Sequence, residues 1–136
     1  MKFIIKEYDK YNEEEILNLY ERVGWKNYVD NPEMLENAYK NSLKIMGAYE
    51  KERLLGIIRT VGDGCSIVYI QDILVLPEYQ RQGIGKALLN EILEIYTNVY
   101  QKVLLTDNTE RTISFYKSLG FTMDTDMECR AFMKMK

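Results

Sequence analysis

The stretch Leu74-Val75-Leu76-Pro77-Glu78-Tyr79-Gln80-Arg81-Gln82-Gly83-Ile84-Gly85-Lys86-Ala87-Leu88-Leu89 constrains the fold more than any other part of the chain. An apolar run ends at Pro77, and proline has no backbone N–H to give a sheet, so a central strand should stop there. A short polar loop follows. Gly83 and Gly85 then open a periodic segment in which Ile84, Leu88, Ile92 and Ile95 recur at helical spacing. Lys86, Asn90 and Glu94 fall on the opposite face. The pattern reads as strand, glycine loop and helix N-terminus. Its free N–H groups and the positive end of the helix dipole make a site for an anion such as phosphate or pyrophosphate, with Arg81 and Lys86 alongside.

Two nucleotide-binding motifs do not fit. The dinucleotide fingerprint needs a third glycine, but Gly85 is followed by Lys86, Ala87 and Leu88. A P-loop needs a glycine five positions before Gly85, where Gln80 stands, and a Ser or Thr where Ala87 stands. A plain strand-to-helix turn remains an alternative, since glycine serves turns generally. Read as Gln80-Arg81-Gln82-Gly83-Ile84-Gly85, the loop resembles the Q/R-x-x-G-x-G/A motif of the GNAT superfamily of acyl-CoA-dependent N-acyltransferases. Asn108 and the segment Phe115-Tyr116-Lys117-Ser118-Leu119-Gly120-Phe121 resemble that superfamily's second recognisable element. With less specificity, the resemblance to small single-domain bacterial-type members extends over nearly the whole chain.

At 136 residues the chain is expected to form one domain, residues 1–136. No apolar run reaches the roughly 20 residues that span a bilayer. The N-terminus, Met1-Lys2-Phe3-Ile4-Ile5-Lys6-Glu7, is charged too soon for a secretory signal. The expected compartment is the cytoplasm, with no membrane partner. A net charge of −3 argues against a broad nucleic-acid surface and suits a cationic or neutral small partner. Cys65 and Cys129 form no metal-binding or redox spacing, so reduced thiols and no metal are expected. The chain has no histidine, which leaves a carboxylate, a tyrosine, a cysteine or a water chain as general base.

Residues 2–8 read as a first strand. Asn12 resembles a helix N-cap with Glu15 as its capping-box partner, and Gly24 is placed to end that helix. Asn31 and Pro32 read as N-cap and first residue of a second helix. Residues 45–50 and 53–61 read as antiparallel strands around a turn at Lys51-Glu52, and Gly62-Asp63-Gly64 as a further turn. Residues 67–76 are apolar on both faces, as expected of a central covered strand. After a helix over residues 83–97, residues 102–106 form a short strand, which implies a parallel, right-handed crossover. A helix over 109–118 and one or two closing strands over 121–135 complete the order. The fold class is α/β (α+β): a central mixed, mostly antiparallel sheet with one parallel strand pair and helices on both faces. This is also the order that the GNAT resemblance implies.

The resemblance places the pyrophosphate of acetyl-CoA on Gln80, Arg81, Gln82, Gly83, Ile84, Gly85 and Lys86. It gives the pantetheine arm to the backbone of Ile73, Leu74 and Val75, with the next parallel strand splaying away to admit the acetyl group. Asn108 and Phe115 match positions at the cofactor arm, Asn108 having a helix cap as its alternative. Tyr116 matches the family's general acid. A phenol near pKa 10 can donate to a leaving thiolate, while periodicity alone would make Tyr116 a packing residue beside Ile113. Asp72 is the one charged residue in 67–76, and a carboxylate there is costly unless paired or wetted. It can bind or deprotonate an acceptor amine, or it can serve as a structural carboxylate; some GNAT members carry acidic residues at this point, but here Gln71 precedes it rather than a second carboxylate. Tyr69 is a further candidate lining residue. Trp25 and Tyr28 lie where GNAT acceptor sites are commonly walled, and aromatic faces bind amines well; their alternative is anchoring a loop to the core.

The expected function is N-acetyltransfer from acetyl-CoA directly onto a primary amine of a small molecule. The alternatives are a protein acetyltransferase acting on a lysine or N-terminus, and a non-catalytic CoA-binding sensor or interaction module. A homodimer is left open.

Overall fold

The computed structural model describes residues 2–136 and divides into two compact units, Met1–Leu104 and Leu105–Lys136. The first holds a sheet of five strands in sequential order: β1 (Ile4–Glu7), β2 (Lys44–Glu50), β3 (Arg53–Gly62), β4 (Ile67–Val75) and β5 (Gln101–Leu104). The first three pairings are antiparallel and β4–β5 is parallel, so the expected mixed sheet is present. Between β1 and β2 run α1 (Glu13–Arg22), α2 (Lys26–Val29) and α3 (Pro32–Lys40); α4 (Ile84–Ile95) crosses from β4 to β5.

Helices α1, α3 and α4 bury most of the stripe that their sequence marks, although Ile95 at the end of α4 is left exposed. Ile16, Leu19 and Tyr20 of α1 and Leu35 and Tyr39 of α3 join Ile45, Ile57 and Leu74 of the sheet in one core. Ile84, Leu88, Leu89 and Ile92 of α4 are buried where that helix packs on β2, β3 and β4, covering the other face. Each such side chain contributes roughly 1.5–3 kcal/mol on burial.

The caps differ in detail from the sequence expectation. Asn12 caps α1 by accepting from the Glu15 N–H at 3.0 Å. The return arm of the box runs through Tyr8: its hydroxyl accepts from the Asn12 N–H and donates to Glu15. Pro32 opens α3 as expected, but Asn31 makes no cap with its side chain, which donates instead to the Asn27 carbonyl at 2.7 Å. The four-residue α2, inside the segment between the two expected helices, is too short to show periodicity.

The second unit contains α5 (Glu110–Ser118), whose N-cap is Thr109. A 3-10 turn follows at Asp124–Met127. The closing strands expected over 121–135 are absent from the described residues. Asp124 takes the backbone donors that a ladder would use: its carboxylate accepts from Thr125 and Ala131 and its carbonyl from Cys129. Such local side-chain bonds compete with sheet formation. Phe132 is left 93% exposed.

Candidate active site

The glycine loop is shaped by its backbone. After β4, a 3-10 turn at Pro77–Tyr79 leads to Gln80, whose side-chain amide donates to the Val75 carbonyl at 3.0 Å. Gln82 donates similarly to the Glu78 carbonyl. Arg81 adopts φ +64 and Gly83 φ +86 as the N-cap of α4. No side chain caps this helix end, so its first N–H groups keep their hydrogen-bonding capacity. A Cβ built on Gly83 would meet nothing within 4 Å, and Arg81, Gln82, Gly83 and Lys86 are exposed. Ile84 is buried and anchors the helix, so its contribution to an anion is its N–H alone. Gly85 is the first residue inside α4 after Ile84 and has no special φ. The donor set of open N–H groups and two exposed cations fits a pyrophosphate such as that of CoA.

The strand leading into this loop is half open. The parallel ladder pairs Ile67–Ile70 of β4 with residues 101–104 and stops at Ile70↔Leu104. Beyond it, Ile73, Leu74 and Val75 pair with β3 alone. Alternate N–H and C=O groups of that half therefore point away from β3 with no β5 partner. Leu74 is sunk in the core, which fixes the backbone that its neighbours expose.

A β-bulge marks the point where the ladder ends. Arg59 pairs with Asp72 and Thr60 with Ile70, so Gln71 has no partner across the strand. Bulges re-aim side chains. Here the shift puts Asp72 opposite Arg59, and both are buried, at 2% and 4% exposure. Arg59 Nε donates to Asp72 Oδ2 at 2.7 Å, and the Tyr20 hydroxyl donates to the same oxygen at 2.7 Å. Tyr39 lies 3.1 Å from the Tyr20 oxygen. Burial alone would lower the Arg59 guanidinium; the Asp72 charge and hydrogen bond outweigh it and raise it. Burial, with Asp72 nearby, raises the Tyr20 phenol far above its usual value and holds it protonated. Asp72 thus has the partners that a buried carboxylate needs, and it is shut off from solvent.

Trp25 and Tyr28 are half-buried and meet each other with ring centroids 6.1 Å apart. Tyr28 also accepts from the exposed Gln71 side chain at 3.4 Å. Tyr69 is half-buried on β4 and pairs with Val61. The structure therefore brings Asp72, Trp25 and Tyr28 together through Tyr20. The sequence gives Tyr20, Arg59 and Tyr39 no site role, and marks Gln71 only as the neighbour of Asp72. Arg59 was findable: it is the one charge inside β3 after Arg53, as Asp72 is in β4, and two lone opposite charges in neighbouring buried strands invite pairing.

In the second unit, Asn108 is exposed and is not the helix cap, a role taken by the Thr109 side chain. Phe115 and Tyr116 are half-buried on α5, edge to face at 5.0 Å, and Phe121 meets Tyr116 at 5.9 Å. Desolvation, then the negative Asp107, raises the Tyr116 phenol above its ordinary value, so it carries its proton at neutral pH.

These features meet the comparisons with known proteins. The acetyltransferase (GNAT) domain profile matches residues 7–135, and the chain belongs to that family. A GNAT-family acetyltransferase from Streptococcus pneumoniae TIGR4 is 41% identical, superposes with a TM-score of 0.90, and the match covers 99% of this chain and 98% of that one. A coenzyme A complex of the PaiA N-acetyltransferase from Thermoplasma acidophilum shares the fold at a TM-score of 0.71, with 22% identity over 93% and 94% of the two chains. A soybean (Glycine max) protein named histone acetyltransferase TAP1 is 34% identical over 79 residues, 57% of this chain. The match spans about a third (33%) of that relative's length. Among the described residues, no helix is long and apolar enough to cross a membrane.

Proposed function

We propose that this chain is an N-acetyltransferase that takes acetyl-CoA as donor and a primary amine of a small molecule as acceptor. The observation that carries the reading is the half-open β4 strand followed, through the Pro77–Tyr79 turn, by an uncapped helix end at Gly83. Together these offer backbone donors and acceptors along an extended arm and N–H groups for a pyrophosphate at its end. The coenzyme A bound by the Thermoplasma relative supports the same donor.

Acetyl-CoA supplies an acyl group already activated as a thioester. Gly83, Ile84, Gly85 and Lys86 would bind its phosphates, with Arg81 adding charge, and the backbone of Ile73 and Val75 would align its arm. An N–H on the open side of β4 can polarise a carbonyl. Tyr116, matched to the family's acid and holding its proton at Oη, would donate to the departing sulfur and regain a proton from water. Asn108 and Phe115 are assigned to the arm by the same match. Trp25 and Tyr28 would face the acceptor, with Tyr69 beside them on β4. We assign Asp72 to positioning rather than to proton removal, because it is buried and its Oδ2 takes both Arg59 and Tyr20. The acceptor amine then loses its proton to water.

The soybean relative's name favours a second reading, in which the acceptor is a lysine in a protein. Thiol release from acetyl-CoA, measured against alkyl and aromatic amines and against lysine peptides, separates the two. We expect turnover with small amines, a fall in kcat of about 10²-fold in Tyr116→Phe, and an unchanged acetyl-CoA Kd. Trp25→Ala should raise the acceptor KM alone. Turnover confined to peptides selects the second reading, and absence of CoA binding removes both.

A further inference from the structure

We propose that Tyr20 is a positioning residue for acceptor selection: it sets the Trp25–Tyr28 wall against the β4 bulge without touching the acceptor. The inference rests on reading Trp25 and Tyr28 as that wall. Helix α2, which carries Tyr28 and begins just after Trp25, has four residues and no side-chain cap. A helix that short does not hold its own geometry in water. Something outside it must fix the two aromatic rings.

Tyr20 is fully buried, so it cannot contact a substrate. Its ring meets Tyr28 at 5.3 Å and Trp25 at 6.0 Å between centroids, and its carbonyl accepts the Trp25 N–H at 3.0 Å. Its hydroxyl has one proton, which goes to Asp72 Oδ2. The Tyr39 hydroxyl must therefore be the donor in the Tyr39–Tyr20 contact at 3.1 Å. Arg59 holds the same Asp72 oxygen from β3. The chain of bonds ends on a charged pair buried in two central strands, a rigid reference point. The neighbouring bulge residue grips the wall separately, since Gln71 donates to the Tyr28 hydroxyl. Residues 71 and 72 thus hold both sides of α2, one at its exposed rim and one through the core. The consequence is that the acceptor wall is registered to the strand on which the donor arm would lie.

The test is Tyr20→Phe, which keeps the ring and deletes the hydroxyl. Trp25 is the only tryptophan in the chain, so its emission reports on the wall directly. We expect a shifted emission maximum and an acceptor KM raised roughly three- to tenfold, less than the full loss of a hydrogen bond to a charged group because the hydroxyl acts on the acceptor only through the wall. The kcat should stay within about twofold and the acetyl-CoA Kd should not move. Tyr39→Phe removes another buried hydroxyl from the same network but leaves the Tyr20–Asp72 bond, so emission and KM should match the parent. Gln71→Ala, at an exposed position where folding is secure, should shift both readouts in the same direction and by less. The proposal is overturned if Gln71→Ala and a folded Tyr20→Phe leave emission and KM unchanged. It is equally overturned if Tyr39→Phe moves both as far as Tyr20→Phe. Failure of the underlying reading looks different: Trp25→Ala itself would then leave the acceptor KM unchanged.

Discussion

The glycine loop and the bulge network lie at the two ends of one short piece of β4, and they are built on opposite principles. Around Gly83 the working groups are main-chain N–H donors, and the loop is shaped by torsions at adjacent residues, φ +64 at Arg81 and +86 at Gly83. At Asp72 the working groups are side chains. Tyr20 and Asp72 are 52 positions apart in sequence and Arg59 and Asp72 are 13 apart, yet they share one oxygen. The loop is open and exposed; the network is buried, with Arg59 and Tyr20 both bonded to Asp72. A backbone site is specified by a few consecutive residues and tolerates any side chain that stays out of the way. A side-chain network exists only once the sheet and helix have assembled, and each member depends on the others.

The sharpest way to break this contrast is Asp72→Ala. It strands the Arg59 guanidinium in the core, and removing one partner of a buried ion pair typically costs about 3–5 kcal/mol. Denaturant unfolding should show a loss of that size. The double variant Arg59→Met/Asp72→Leu should recover most of it, because replacing both charges removes the desolvation cost along with the pair. A loss below about 1 kcal/mol in Asp72→Ala would mean that water reaches the pair, and the network would then resemble the loop in its energetics.

Gly83→Asp probes the other side. Space is not the obstacle, since a Cβ at Gly83 meets nothing within 4 Å. The cost to binding is a carboxylate where phosphates would lie, worth about 1 kcal/mol at water-like screening and about 4 kcal/mol at surface dielectric. Calorimetry should therefore show CoA affinity falling roughly five- to nearly a thousandfold. Gly83→Ala sharpens the comparison. It should keep CoA affinity within about threefold, and its left-handed φ should lower stability by about 1–2 kcal/mol. If Gly83→Ala weakens CoA as much as Gly83→Asp, shape rather than charge governs the loop.

The same contrast explains what could be read from the chain. The strand, loop and helix over residues 67–95 were legible because Pro77, Gly83 and the Ile84, Leu88, Ile92 stripe act locally. Their structural boundaries, Ile67–Val75 and Ile84–Ile95, fall within two residues of expectation. Asp72 was legible as an anomaly but not as a pair, because its partner depends on a bulge that no residue type announces. The helix-cap alternative for Asn108 fails because Thr109, which follows it directly, does the capping. The segment 121–135 has strand-like composition, yet a strand needs a neighbour. Its backbone donors find Asp124 at short range instead.

Arg81 offers the smallest and most discriminating measurement, because it carries both kinds of information at once. Its backbone sits at φ +64, a region that costs a non-glycine residue about 1–2 kcal/mol, and its side chain is an exposed cation beside the proposed phosphate site. Arg81→Ala removes the charge and keeps the strain. Arg81→Gly removes both, partly offset by about 0.4–1 kcal/mol of extra chain entropy in the unfolded state. If the loop works through fixed torsions and the cation adds only screened attraction, the two variants should lose CoA affinity equally. That loss should be about fivefold, as for a solvent-exposed contact worth about 1 kcal/mol. Arg81→Gly should be the more stable of the two by about 0.5–1 kcal/mol, the strain relieved less the entropy lost. The pair is decided by comparing calorimetric Kd with thermal midpoint. Equal Kd values with different midpoints support a loop whose shape is held independently of residue 81. A weaker Kd in Arg81→Gly than in Arg81→Ala would show that the strained residue itself keeps the N–H groups in place. The loop would then depend on its side chains as the bulge network does.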